Sequence, residues 1–145
     1  MPVLYLIRGV PGSGKSTLAM NMSSGDISGG DTSVIFEADM FMVNDQGEYH
    51  FDPLKLKYCH QRCQQFVNMS MIEKIDHIYV SNTFIKKWEA DVYYTLAKVW
   101  GYDVKVICCE GNYENVHGVP DNRVELMRSN MEPYENQTFR WGGNP

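Results

Sequence analysis

Residues 9–16 read Gly-Val-Pro-Gly-Ser-Gly-Lys-Ser, a complete G-x-x-x-x-G-K-[ST] phosphate-binding pattern. Glycines let a backbone wrap closely enough to aim its N–H groups at phosphate oxygens. Lys15 is placed to reach β- and γ-phosphates, and the Ser16 hydroxyl to hold Mg²⁺. The expected nucleotide-binding set is Gly9, Pro11, Gly12, Ser13, Gly14, Lys15, Ser16 and Thr17. The expected cofactors are ATP, or another nucleoside triphosphate, and Mg²⁺. Phosphoryl transfer also needs an oriented nucleophile and positive charge on the migrating group. Asp39 follows a second apolar run and is the candidate base for an incoming hydroxyl; a turn cap, or a partner of Mg²⁺-bound water, is the alternative role. Asn82 and Thr83 follow a third apolar run. They are candidates for holding metal-bound water or a phosphate oxygen, or for plain strand-end hydrogen bonding.

These groups work only if the chain positions them. Val3–Ile7 is an apolar run of strand length before the loop, and Leu18, Ala19 and Met22 recur at helical spacing after it. Residues 23–33 are rich in turn formers and read as a loop. Strands are expected at Val34–Phe36, Ile78–Val80 and Val104–Cys108. A small hairpin is expected around Asn44–Gly47. Asp52 and Pro53 open a helix to about Glu73 with Leu56, Cys59, Cys63, Phe66 and Val67 inward. Trp88, Val92, Leu96 and Val99 predict the inner face of a further helix capped by Gly101. Pro120 opens a last helix with Val124, Met127 and Met131 on one side, and the stretch from Asn136 to Pro145 reads as irregular. Strand and helix alternate, so the expected architecture is α/β: a P-loop NTPase/kinase fold, three-layer α/β/α, with a parallel sheet of four to five strands. In such a sheet the ligand sits beyond the carboxyl ends of the strands, where every singled-out residue falls. Residues 1–132 are expected to form the domain, with 133–145 a tail packed on it or extending from it.

A chain of 145 residues with 43% apolar and 21% charged residues has the composition of one globular domain. Its net charge of −5 argues against coating nucleic acid by bulk electrostatics, though not against a local basic groove. No apolar run reaches membrane-spanning length, and no leader-type segment precedes the first strand; no membrane partner and a cytoplasmic location are the expectation. The four cysteines lack zinc-ligand spacing and read as reduced, buried thiols. A stripe of Met22, Met69, Met71, Met127 and Met131 reads as core. His50, His60 and His77 read as structural or surface residues. Tyr134, Phe139 and Trp141 read as tail residues packed on the body.

Taken together the residues resemble the polynucleotide-kinase-like group of P-loop phosphotransferases, which includes phage end-healing kinases. The resemblance runs from residue 3 to about 132. It rests on Gly9–Thr17, on Glu37-Ala38-Asp39-Met40-Phe41 followed by Gly47–Phe51, on Asn82-Thr83 with Trp88-Glu89, and on Tyr93, Ala97, Gly101–Val104 and Asn115–Pro120. It implies transfer of the γ-phosphate of ATP to a 5′-hydroxyl end of DNA or RNA, with Asp39 as general base and a lid around His117–Pro120. Two departures stand out. Met42 occupies the place of an arginine that holds substrate phosphate in the phage enzymes, and Tyr113–His117 lacks the lid arginines. Arg123 and Arg128 are the candidate replacements. A kinase of a nucleotide or other small hydroxyl substrate, and a nucleotide-binding module with little catalysis, are the competing expectations.

Overall fold

The computed structural model describes residues 2–111, 119–134 and 137–140, without the side chains of Phe139 and Arg140. Strands β1 (Val3–Arg8), β2 (Ser33–Phe36), β3 (His77–Asn82), β4 (Asp103–Cys109) and β5 (Thr138–Arg140) form one sheet in the order β2-β3-β1-β4-β5. Each neighbouring pair is parallel, with Leu6 opposite Val80 and Val106. Helices α1 (Lys15–Ser28), α2 (Leu56–Ile72), α3 (Asp91–Trp100) and α4 (Asp121–Asn130) join them. Strand alternation splits the core in two. Val3, Tyr5 and Ile7 pack with Leu18 and Ala19 of α1. Leu4 and Leu6 pack on the other side with Cys63, Val67 and Met71 of α2 and Tyr93 and Ala97 of α3. The α/β fold and parallel sheet are thus as expected. Among the described residues no helix is long and apolar enough to cross a membrane.

Four local expectations are corrected. First, α1 runs to Ser28, through residues 23–28 that read as loop. Tertiary bonds override the weak propensity: the Ser23 and Ser33 hydroxyls lie 2.7 Å apart, and Tyr79 donates to the Asp26 carboxylate at 2.5 Å. Second, the inner face of α3 is Tyr93 and Ala97, with Val92 and Leu96 only partly buried, while Trp88 is 71% and Val99 65% exposed. A 3₁₀ turn at Lys87–Ala90 precedes α3, and its three-residue period breaks the phase that a continuous α-helix would keep between Trp88 and Val92. Third, Thr138–Arg140 is a strand, paired Cys108 to Phe139, where irregular chain was expected. Fourth, Leu56 and Met69 are exposed, and Met131 lies beyond the end of α4.

Other expectations hold. Asp52 accepts from the Leu54 N–H at 3.0 Å with Pro53 in the first turn. Val43 pairs with Tyr49 across the expected hairpin. Gly101 caps α3 at φ 76°. All four cysteines are free and buried, and burial pushes the Cys59, Cys63 and Cys108 thiols up. His77 is a structural residue, its ring 2.9 Å from the Asp31 carboxylate.

Candidate phosphate-loop site

Because every described strand is parallel, the chain leaves the sheet at one edge after β1, β2, β3 and β4, and the phosphate loop, Asp39, Asn82 and Thr83 meet there. The loop after β1 needs backbone that side chains resist. Gly9, Gly12 and Gly14 have φ of 154°, 83° and 96°. The loop is pinned from three sides: Gly9 N–H donates to the Thr83 carbonyl at 3.2 Å, Ser13 N–H to Val10 at 3.1 Å, and Gly111 N–H to Ser13 at 3.1 Å. A Cβ on Gly9 would strike the Ser13 side chain and lie 2.8 Å from the Cys109 carbonyl oxygen. Gly9→Ala is therefore expected to displace the loop from β4 and reduce nucleoside triphosphate affinity at least tenfold, about 1.4 kcal/mol, as measured by isothermal titration. Wild-type affinity would show that the loop can shift without loss.

Helix α1 begins at Lys15 behind the left-handed Gly14, with no side-chain cap on its first N–H groups and no acidic residue in its first turn. Its positive end is left to an outside anion. Lys15 donates to the Val10 carbonyl at 3.1 Å. Burial lowers its pKa, and the nearby Cys109, Glu37 and Asp39 oppose that shift. An ammonium held this way is poised to gain from an incoming phosphate.

Glu37, at the exit of β2, was not singled out from the sequence. Its carboxylate accepts from the Ser16 hydroxyl at 2.5 Å. Its place directly after an apolar strand and two residues before Asp39 was the signal available. Asp39 sits partly buried on a 3₁₀ turn, Ala38–Phe41. Asn82 holds that turn: its side-chain oxygen accepts from the Ala38 N–H at 2.9 Å. Asn82 is thus a strand-end tether for the turn carrying Asp39, and Thr83 meets the loop through its carbonyl. Ser16 and Glu37 offer hard oxygens of the kind Mg²⁺ accepts, and among the described residues no cluster of three or more metal-binding side chains competes with them.

A second residue the sequence reading passed over is Arg8, the last residue of β1. It continues the Leu4–Leu6 face and is 1% exposed. Its Nε and Nη2 donate to the Phe84 carbonyl at 3.0 and 2.5 Å, and its Nη1 to the Gln137 side chain at 2.7 Å. Tyr134 covers it, with the guanidinium carbon 3.7 Å from the ring centroid. A cavity of about 390 Å³ opens beside it, lined by Val10, Cys109, Glu110, Arg128 and Gln137 among others.

The remaining candidates are not drawn into the loop. Met42 is fully buried against Ala38 and Cys59, so its side chain faces the core. Arg123 is exposed in the first turn of α4, and Arg128 pairs with Glu125 at 3.7 Å. His117, with the rest of Tyr113–Gly118, and Trp141 lie outside the described residues. Tyr134 is buried on the body, as expected.

A glycine-rich loop between a central parallel strand and a helix, with acidic residues at the exit of the second strand, defines a P-loop kinase-like α/β protein. The chain belongs to the AAA_33 family, an AAA domain, which it matches over residues 4–117. Human NEDD4-binding protein 2 is 32% identical over 142 residues; the match takes in 92% of this chain but only 8% of that much longer protein. The APS kinase CysC of Mycobacterium tuberculosis, solved in complex with AMPPNP and APS, is similar at a TM-score of 0.63 and 13% identity, over 95% of this chain and 88% of that one. A chain of the Pnkp1/Rnl/Hen1 RNA repair complex is similar at a TM-score of 0.58 and 19% identity, over 89% of this chain and 36% of that one. Both likenesses are of fold.

Proposed function

We propose that the protein is an ATP-dependent kinase that phosphorylates the 5′-hydroxyl end of a polynucleotide. The observation that carries the kinase reading is the placement of Asp39, on a turn tethered by Asn82 and close enough to Lys15 to act on its charge. A carboxylate held there suits a hydroxyl acceptor that approaches a phosphate on the loop. In this reading Gly9, Pro11–Gly14, Lys15, Ser16 and Thr17 hold the β- and γ-phosphates, and the cavity beside Val10 offers room for the nucleoside half. Asp39 orients the acceptor hydroxyl and takes its proton as the oxygen attacks the γ-phosphorus, whose bond to the β–γ bridging oxygen breaks to release ADP. Ser16 and Glu37 would hold Mg²⁺, which when bound neutralises charge on the β- and γ-phosphate oxygens. A polynucleotide acceptor is supported by the ordered motifs shared with end-healing kinases and by the fold likeness to a chain of an RNA repair complex. Burial of Met42, where the phage enzymes hold substrate phosphate, favours the second reading, a small hydroxyl acceptor.

Labelled γ-phosphate transfer decides between them. Labelled 5′-hydroxyl oligonucleotide supports the proposal. Labelled nucleoside or nucleoside monophosphate supports the second reading, and binding without transfer supports a non-catalytic module. Glu37→Gln is expected to raise the Mg²⁺ concentration for half-maximal transfer about tenfold. An unchanged Mg²⁺ titration would confine Glu37 to orienting Ser16.

A further inference from the structure

We infer that the hairpin and the outer flank of α2 beside Asp39 form the track for the single-stranded body of the acceptor, with bases stacking on Tyr49, Phe51 and Tyr58 and phosphates meeting Lys55 and Arg62. The inference rests on the polynucleotide reading above and adds where the strand lies. Tyr49, Phe51 and Tyr58 are 44%, 51% and 54% exposed, unusual for three large aromatics within ten residues of sequence. Tyr58 and Arg62 are four apart on one flank of α2, next to the buried Cys59–Cys63 stripe, and Lys55 ends the 3₁₀ turn Pro53–Lys55 that leads into that helix. Two contacts join that flank to the turn carrying Asp39. Lys55 Nζ donates to the Val43 carbonyl at 3.4 Å, and Val43 pairs with Tyr49. Arg62 lies 5.0 Å over the Phe66 ring, which stacks on Phe41 of the Asp39 turn at 5.4 Å. Tyr49 itself senses the Asp39 carboxylate, whose charge adds to burial in raising the phenol pKa.

Charge selects the occupant. In a chain of net charge −5, residues 53–62 carry Lys55, Lys57 and Arg62 and no acidic residue, while Asp45, Glu48 and Asp52 lie on the hairpin side. Cations interleaved with exposed aromatics suit the alternating phosphates and bases of a single strand. From Lys55 to Arg62 the helix rises about 10 Å, room for about three phosphates of a stacked strand at roughly 3.4 Å each. A small acceptor has no use for such a length.

The test uses the intact protein and a ten-nucleotide 5′-hydroxyl RNA labelled at its 3′ end, followed by fluorescence anisotropy, beside Tyr58→Ala and Arg62→Gln. Tyr58 is exposed and Arg62 half-buried, and thermal unfolding and ATP binding check that each variant is folded and loaded. Tyr58→Ala is expected to weaken RNA binding about tenfold. Arg62→Gln is expected to reduce the slope of log K against log[salt] by about 0.7. In transfer assays both variants should raise KM for the oligonucleotide and leave transfer to a mononucleoside unchanged. Wild-type RNA binding in both variants overturns the track, even where the wild type phosphorylates RNA. RNA binding that needs Tyr58 and Arg62, without transfer to RNA, keeps the track and overturns the kinase reading. Capture by phosphatidylserine vesicles in place of RNA overturns the track as well.

Discussion

Asp39→Asn is expected to lower phosphoryl transfer by about 10²–10⁴-fold, the usual worth of a positioned general base, while ATP affinity stays within about twofold. The split follows from the site. In the proposed reading the loop and Lys15 grip the phosphates; the loop is pinned to Thr83, Val10 and Gly111, and the Asp39 turn is tethered by Asn82. Asparagine keeps the size of the side chain and removes its ability to take a proton. Single-turnover transfer of labelled phosphate, with calorimetric ATP binding in parallel, reads the two effects independently. Full activity in Asp39→Asn would move the base elsewhere; equal loss of binding and transfer would make Asp39 part of the nucleotide grip.

Arg8→Met is expected to cost about 2–4 kcal/mol, because it strips buried acceptors of their donors, or roughly 10 °C in Tm for a chain of this length. Burying a guanidinium is tolerable only when it is solvated by protein. Here the solvent is the Phe84 and Ile85 carbonyls, the Gln137 amide and the Tyr134 ring. Methionine matches the volume but leaves those acceptors without donors. Lysine keeps the charge yet lacks the flat fork that serves Phe84 and Gln137 together, so Arg8→Lys should also be destabilised. Urea unfolding of both variants measures it. Losses under about 1 kcal/mol in each would show that the pocket rehydrates cheaply.

The phosphate loop and the parallel sheet were legible because each rests on local rules: glycine conformations, an apolar strand before, an apolar helical face after. The position of Asp39 at the exit of the second strand was legible in the same way, and its role belongs to the proposed reading. Arg8 was not, because hydrophobic periodicity stops counting where an apolar strand meets a charge, although Arg8 keeps the two-residue register of Leu4 and Leu6. Glu37 was overlooked beside Asp39, since sequence order does not say which of two neighbouring carboxylates turns to Ser16. The α3 face was misassigned because one 3₁₀ turn resets helical phase. The α1 overrun was missed because Ser23 and Asp26 gain their helix-holding partners, Ser33 and Tyr79, only in the folded chain.

The Arg8 contact with Gln137 spans nearly the whole chain. A stretch of about this length in a far longer human protein is similar to this chain. In either setting Thr138–Arg140 and the residues before it are no dispensable trailer. A graft or truncation that stops short of Tyr134 and Gln137 would leave the Arg8 guanidinium with only the Phe84 and Ile85 carbonyls beneath the phosphate loop, and the loss would surface as poor ATP binding at a distance from the cut.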